Sequence, residues 1–222
     1  MTRRQKTLRG SIAFSGIGLH SGEEVEVRLL PADASTGIEF IRTDQADSVP
    51  VPAEIAYHSP KDRRTRLMRE GTEVETVEHF LAVCTGLHLD NVRVEISGAE
   101  FPGLDGSAKP LVELVQKAGL VEQKEEARIF VLEEPVFVHD GGATLVALPS
   151  DAPGLPLQYV SSFDEPGVES GAFEVDLTPA SFEEELAGAR TFCLASEVEA
   201  LQAAGMGKGA TRENTVVLGD PD

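Results

Sequence analysis

The sequence predicts an α+β protein built from two similar β-rich units packed face to face. Three observations lead there. Short alternating apolar runs recur through both halves, as half-buried strands require. Brief helical patterns interrupt them, the clearest being Val77, Phe80, Leu81 and Cys84 at i, i+3, i+4 and i+7. The chain also repeats itself loosely. Gly18-Leu19-His20-Ser21-Gly22, a strand to Leu30-Pro31-Ala32-Asp33, then Gly37-Ile38-Glu39-Phe40 form one pattern. Phe137-Val138-His139-Asp140-Gly141, a strand to Leu148-Pro149-Ser150-Asp151, then Leu155-Pro156-Leu157-Gln158-Tyr159 form the other, 119 residues later at the histidines.

In the first unit, residues 1–120, strands are expected near 8–16, 23–30, 36–42 and 49–57. The helix that follows takes Thr76 as its N-cap and Gly86 as its stop. Val92, Val94 and Ile96 alternate with charged residues, giving a strand over 91–96. Asp105-Gly106 is a turn dipeptide, Ser107 a cap, and Pro110 suits the first turn of a helix ending at Gly119. Residues 121–128, Val-Glu-Gln-Lys-Glu-Glu-Ala-Arg, are mostly polar and read as a linker. The second unit, 129–222, repeats the strands, then carries a helix from Phe182 to Ala189 and a βαβ insert near 193–218. It ends on Gly219-Asp220-Pro221-Asp222, a turn signal, so this unit is expected to lack its closing elements.

Composition narrows the classes of function. A formal charge of -19 disfavours nucleic acid and anionic membrane surfaces as partners. The charge is uneven: residues 1–128 hold 16 Lys/Arg against 21 Asp/Glu, and residues 129–222 hold 3 against 17. No apolar run is long enough to cross a bilayer, and the basic N-terminus leads into no signal sequence, so a cytoplasmic protein is expected. Cys84 and Cys193 sit among apolar neighbours and read as two buried thiols. Lys61, Arg63, Arg64 and Arg66 form the one basic cluster, either a solvated loop or an anion contact.

The candidate chemistry sits at the start of the first helix. Glu78 and His79 fall in its first turn, off the apolar stripe, where a carboxylate base beside a metal-ligating imidazole would serve metal-assisted hydrolysis. The same pair also occurs as ordinary solvated helix residues. His20, His58, His88 and His139 form no close pair with one another and read as structural or solvent positions. No nucleophile elbow or phosphate loop is present.

Six segments in order carry a resemblance: Gly16-Ile17-Gly18-Leu19-His20-Ser21-Gly22, Arg42-Thr43-Asp44, Thr76-Val77-Glu78-His79-Phe80-Leu81-Ala82, Leu89-Asp90-Asn91-Val92, Leu104-Asp105-Gly106-Ser107-Ala108 and Ala189-Arg190-Thr191-Phe192. Together they resemble the zinc-dependent UDP-3-O-acyl-N-acetylglucosamine deacetylases of lipid A biosynthesis. The resemblance implies a Zn2+ cofactor with His79 as a ligand, Glu78 as general base and Thr191 as donor to the oxyanion. It makes Phe192 an aromatic contact to substrate, and the insert, with Val198 and Leu201, a passage for the acyl chain of a small-molecule UDP-sugar. Those enzymes take their second and third zinc ligands from a His-Lys-x-x-x-Asp segment beyond the matched region. The sequence is therefore expected to be C-terminally incomplete. Arg64-Thr65-Arg66 also departs from the family, which usually has a second Thr there. Two other readings stay open: a non-catalytic binder of nucleotide sugar or acyl chain, and a structural protein that associates with a partner through its incomplete second unit.

Overall fold

The computed structural model describes residues 2–150, 154–163 and 167–219. Asp151 of the repeat and the last three residues of the terminal turn lie outside them. Helices and strands are mixed through the chain, as α+β requires.

The first half is organised by one five-stranded sheet. Its strands follow β1 (Arg4–Leu8) and are β2 (Ile12–Ile17), β3 (Glu24–Pro31), β4 (Ile38–Arg42), β5 (Val51–Pro52) and, later, β8 (Val92–Ile96), in the order β2-β3-β8-β4-β5. All neighbours are antiparallel except β4 and β8. Alternation explains which face is buried. In β3, Val25, Val27 and Leu29 point inward while Glu24, Glu26 and Arg28 face solvent. Between β5 and β8 come a hairpin, β6 (Arg66–Arg69) with β7 (Thr72–Glu75), and the helix α1 (Glu78–Leu87). A second helix, α2 (Lys109–Ala118), follows β8 and ends at Gly119.

The core joins the two helices to this sheet: Leu29, Phe40, Val94 and Ile96 meet Phe80 and Val83 of α1 and Leu111 and Val115 of α2. Phe80 and Phe101 stack with ring centroids 5.3 Å apart, and Phe40 meets Phe80 edge-on at 6.2 Å, arrangements that aromatic quadrupoles favour.

Two local expectations about α1 are corrected. Thr76 does not cap α1: its backbone is left-handed (φ 60), and its hydroxyl donates to Glu100 Oε1 at 3.1 Å. Gly86 does not stop the helix. It lies inside it, and a Cβ there would run into the ring of Phe182, so glycine makes a notch for that ring. The stop is left-handed His88, with Leu89 N–H returning to Cys84 O at 2.8 Å.

The expected linker is ordered. Leu120–Glu126 forms β9, antiparallel to β1, so the polar stretch is a surface strand held by its ladder. Asn91, buried, donates to Gln5 Oε1 at 2.8 Å and Gln123 Oε1 at 2.7 Å and knits the pair to the domain.

Beyond it lie two antiparallel hairpins, β10 (Val136–Asp140) with β11 (Ala143–Ala147) and β12 (Leu155–Ser161) with β13 (Gly171–Leu177). The helix expected over 182–189 is shorter: a turn at Pro179–Ser181, capped by Thr178, runs into a π-helical turn at Phe182–Leu186. β14 (Phe192–Leu194) then pairs in parallel with β15 (Val216–Leu218), with the helix Val198–Ala203 between them. Among the described residues from 129 onward, Val175, Phe182 and Ala187 are the buried apolar ones, and Phe182 and Ala187 belong to the core of the first half. No described helix is long and apolar enough to cross a membrane.

Candidate active site

The start of α1 opens into a cavity of about 130 Å³ whose wall comes from both halves of the chain. Glu78 and His79 contribute from α1, His20 from the β2–β3 turn, and Thr191, Phe192, Cys193 and Leu201 from the second half. The sequence pattern placed Glu78 and His79 off the apolar stripe, and both are half-buried while their neighbours Val77 and Phe80 are fully inside.

Backbone bonds stitch the two halves together around this cavity. Thr191 N–H donates to Gly106 O at 2.7 Å across the halves, and within the second half Thr191 O accepts from Val216 N–H at 3.0 Å. Gly106 has φ +82, and a Cβ there would strike the Asn214 carbonyl, so glycine is required twice over. Lys208 and Gly209 donate to the carbonyls of His20 and Leu19 at 3.2 and 3.1 Å.

Electrostatics around the carboxylates is specific. Thr65 N–H donates to Glu78 Oε2 at 3.0 Å and fixes that oxygen. Glu100 is 2% exposed, and its carboxylate accepts from His20 N–H at 2.8 Å and Ser21 N–H at 2.7 Å as well as from Thr76. Burial pushes its acidity toward the neutral form, but the hydrogen bonds from Ser21 and His20 outweigh that and hold the carboxyl below the usual range. His20 is moved the other way by burial, with Arg64 adding to it, so its imidazole favours the neutral form. The basic cluster is mostly consumed internally: Lys61 and Arg64 pair with Glu75 at 3.3 and 3.0 Å, and Arg66 with Glu73 at 3.2 Å.

The structure thus gathers Glu78, His79, Thr191, Phe192 and Leu201 in one place. Val198 is half-buried and is not among the residues lining the cavity. Sequence reasoning reads His20 as a turn residue and meets Thr65 only as part of the Arg64-Thr65-Arg66 departure from the family; it does not single out Glu100. Glu100 carries one readable sign: a lone carboxylate set between Ala99 and Phe101-Pro102 interrupts an apolar stretch. Cys84 is buried, and burial pushes its thiol well up, whereas Cys193 is only half-buried.

A family model described as LpxC, UDP-3-O-acyl N-acetylglycosamine deacetylase, matches residues 5–222. The chain belongs to the LpxC family. Its relatives include proteins named UDP-3-O-acyl-N-acetylglucosamine deacetylase from three bacteria. The one from Anaeromyxobacter sp. is 38% identical over 96% of this chain and 69% of its own length. That from Nostoc sp. is 40% identical over 99% and 79%, and that from Saccharophagus degradans 37% over 97% and 71%.

The zinc that the family resemblance implies is only partly provided for by this geometry. A catalytic zinc takes three protein ligands and leaves a fourth position open. Among the described residues, no group of three or more His, Cys, Asp and Glu could hold a metal ion; His79 is the imidazole offered beside Glu78. The described residues of this LpxC chain therefore do not by themselves make up a zinc site.

Proposed function

We propose that this chain removes the N-acetyl group from UDP-3-O-acyl-N-acetylglucosamine, the hydrolysis that leads into lipid A synthesis. What supports this most is the convergence of Glu78, His79 and Thr191, from opposite halves of the sequence, on one cavity. That convergence favours catalysis over the non-catalytic and structural readings. The free state of both cysteines fits a reducing, cytoplasmic setting.

With Thr65 N–H on Oε2, Glu78 keeps Oε1 to take a proton from the water that attacks the acetyl carbonyl. The Thr191 hydroxyl donates to the oxygen on which negative charge develops. The C–N bond then breaks, acetate leaves, and Glu78 returns its proton to the departing amine. Phe192 and Leu201 offer the acyl chain an apolar wall. Zinc belongs to this reading through His79, with the remaining ligands drawn from outside the described residues.

The test is acetate release from the UDP-sugar with zinc supplied in excess. Glu78→Gln should lower the rate about 10²–10⁴-fold, the range general acid–base groups contribute. Equal rates for variant and wild type would refute the role of Glu78. No acetate from any form would refute deacetylation by this chain.

A further inference from the structure

Arg63 stands apart from the rest of the basic cluster. Its neighbours pair with Glu73 and Glu75 of β7, but its guanidinium crosses to the second half. Nη2 donates to Glu197 Oε1 at 2.6 Å and Nη1 to Glu197 Oε2 at 3.2 Å, across 134 residues of sequence. The fork-on-fork geometry fixes orientation as well as distance. Each partner sits at a strategic point. Arg63 lines the cavity and holds a left-handed backbone (φ 63), which residues with a Cβ adopt uncommonly. Two residues on, Thr65 supplies the N–H that fixes Glu78 Oε2. Glu197 closes the turn Ala195–Glu197 just after β14, accepting from Leu194 N–H at 3.3 Å beside Cys193 in the cavity wall.

We propose that Arg63 and Glu197 are a positioning pair, a clasp that holds the insert against the 62–65 loop and so keeps Thr65 N–H on Glu78. The clasp connects the wall expected to meet the acyl chain to the carboxylate expected to act as base. It rests on the deacetylase reading for what Glu78 does, and on geometry alone for its existence. Hydrogen bonding between the partners raises the pKa of Arg63 and lowers that of Glu197, so both stay charged through the neutral range.

The protein carries its own reporter. Cys193 lies in the wall the clasp secures, and Cys84 is fully buried and stays silent in the native state. A neutral thiol reagent such as N-ethylmaleimide should label Cys193 about two- to five-fold faster in Arg63→Met than in wild type, the factor an exposed ion pair supports. Arg63 lowers the Cys193 pKa, so removing its charge alone would slow labelling; acceleration therefore reports opening of the wall. Salt should accelerate wild type and leave Arg63→Met unchanged. Arg63→Lys, which keeps the charge and loses the fork, should fall between them. Amide exchange at Thr65 should rise in Arg63→Met by a similar factor. Equal labelling of wild type and Arg63→Met, equal salt response, or unaltered exchange at Thr65 would overturn the clasp. Turnover enters none of these readouts. A failed deacetylation assay would leave the clasp standing, and a failed clasp would leave the assay to decide the chemistry.

Discussion

Glu100→Gln isolates what a single buried carboxylate does for the site. The wild-type side chain offers two acceptor oxygens: Oε1 takes His20 N–H and Thr76 Oγ1, and Oε2 takes Ser21 N–H. An amide can fill the Oε1 role, but its NH2 then faces the Ser21 N–H, donor against donor. The lost bond to a charged acceptor is worth about 1.5–3 kcal/mol, and the two survivors weaken as their acceptor loses its charge. A loss of about 2–4 kcal/mol in urea unfolding is expected, without change in the denaturant slope. The sign of the pH dependence follows. The folded-state pKa of Glu100 is lowered from the ordinary 4.5, so its contribution is present in full above that value. It is lost as pH falls through the folded-state value. The gap between wild type and Glu100→Gln should thus be widest near neutrality and close on acidification below 4.5. A gap under about 0.5 kcal/mol at neutral pH, or one that does not narrow in acid, would refute the reasoning, since it would sit within ordinary surface effects.

Two further outcomes follow from the site. Gly106→Ala must hold φ +82 with a Cβ driven into the Asn214 carbonyl, so a cost of about 2–5 kcal/mol is expected from backbone strain and overpacking together; a thermal scan showing less than about 1 kcal/mol lost would mean the Thr191 segment yields easily. With no group of three metal-ligating side chains among the described residues, zinc should bind loosely and be lost on dialysis against a weak chelator, and His79→Ala should abolish what binds at excess metal. Metal analysis finding about one tightly held zinc in the variant would remove His79 from the ligand set.

How much could be read in advance differs by kind of information. Strand β3 was legible because Val25, Val27 and Leu29 alternate with charges, and α1 because its stripe has helical spacing. β9 was not, because nearly every residue in it faces solvent; its stability comes from a backbone ladder and the Asn91–Gln123 amide contact, which leave no hydrophobic period. The β6–β7 hairpin was missed for a similar reason: only Leu67, Thr72, Val74 and Glu75 are buried, among charged neighbours. Thr76 looked like a cap by residue type, but its hydroxyl is bound by Glu100, a partner that local sequence does not reveal. At the site, Glu78 beside His79 was visible because the two are adjacent on one helical turn. The fixing of Glu78 by Thr65 N–H and the reach of Arg63 to Glu197 are pairings across loops, and no periodicity announces them.

The notch at Gly86 also bears on the order in which this protein is made. Chains emerge from the ribosome from the N-terminus, and early segments close first. Every element of the five-stranded sheet, both helices and the β1–β9 pair is complete once residue 126 has emerged, before Phe182 exists. If the first half folds as it emerges, the notch is shaped before that ring arrives. On that order the later half is expected to dock by seating the Phe182 ring where Gly86 lacks a side chain, adding Phe182 and Ala187 to a core already begun.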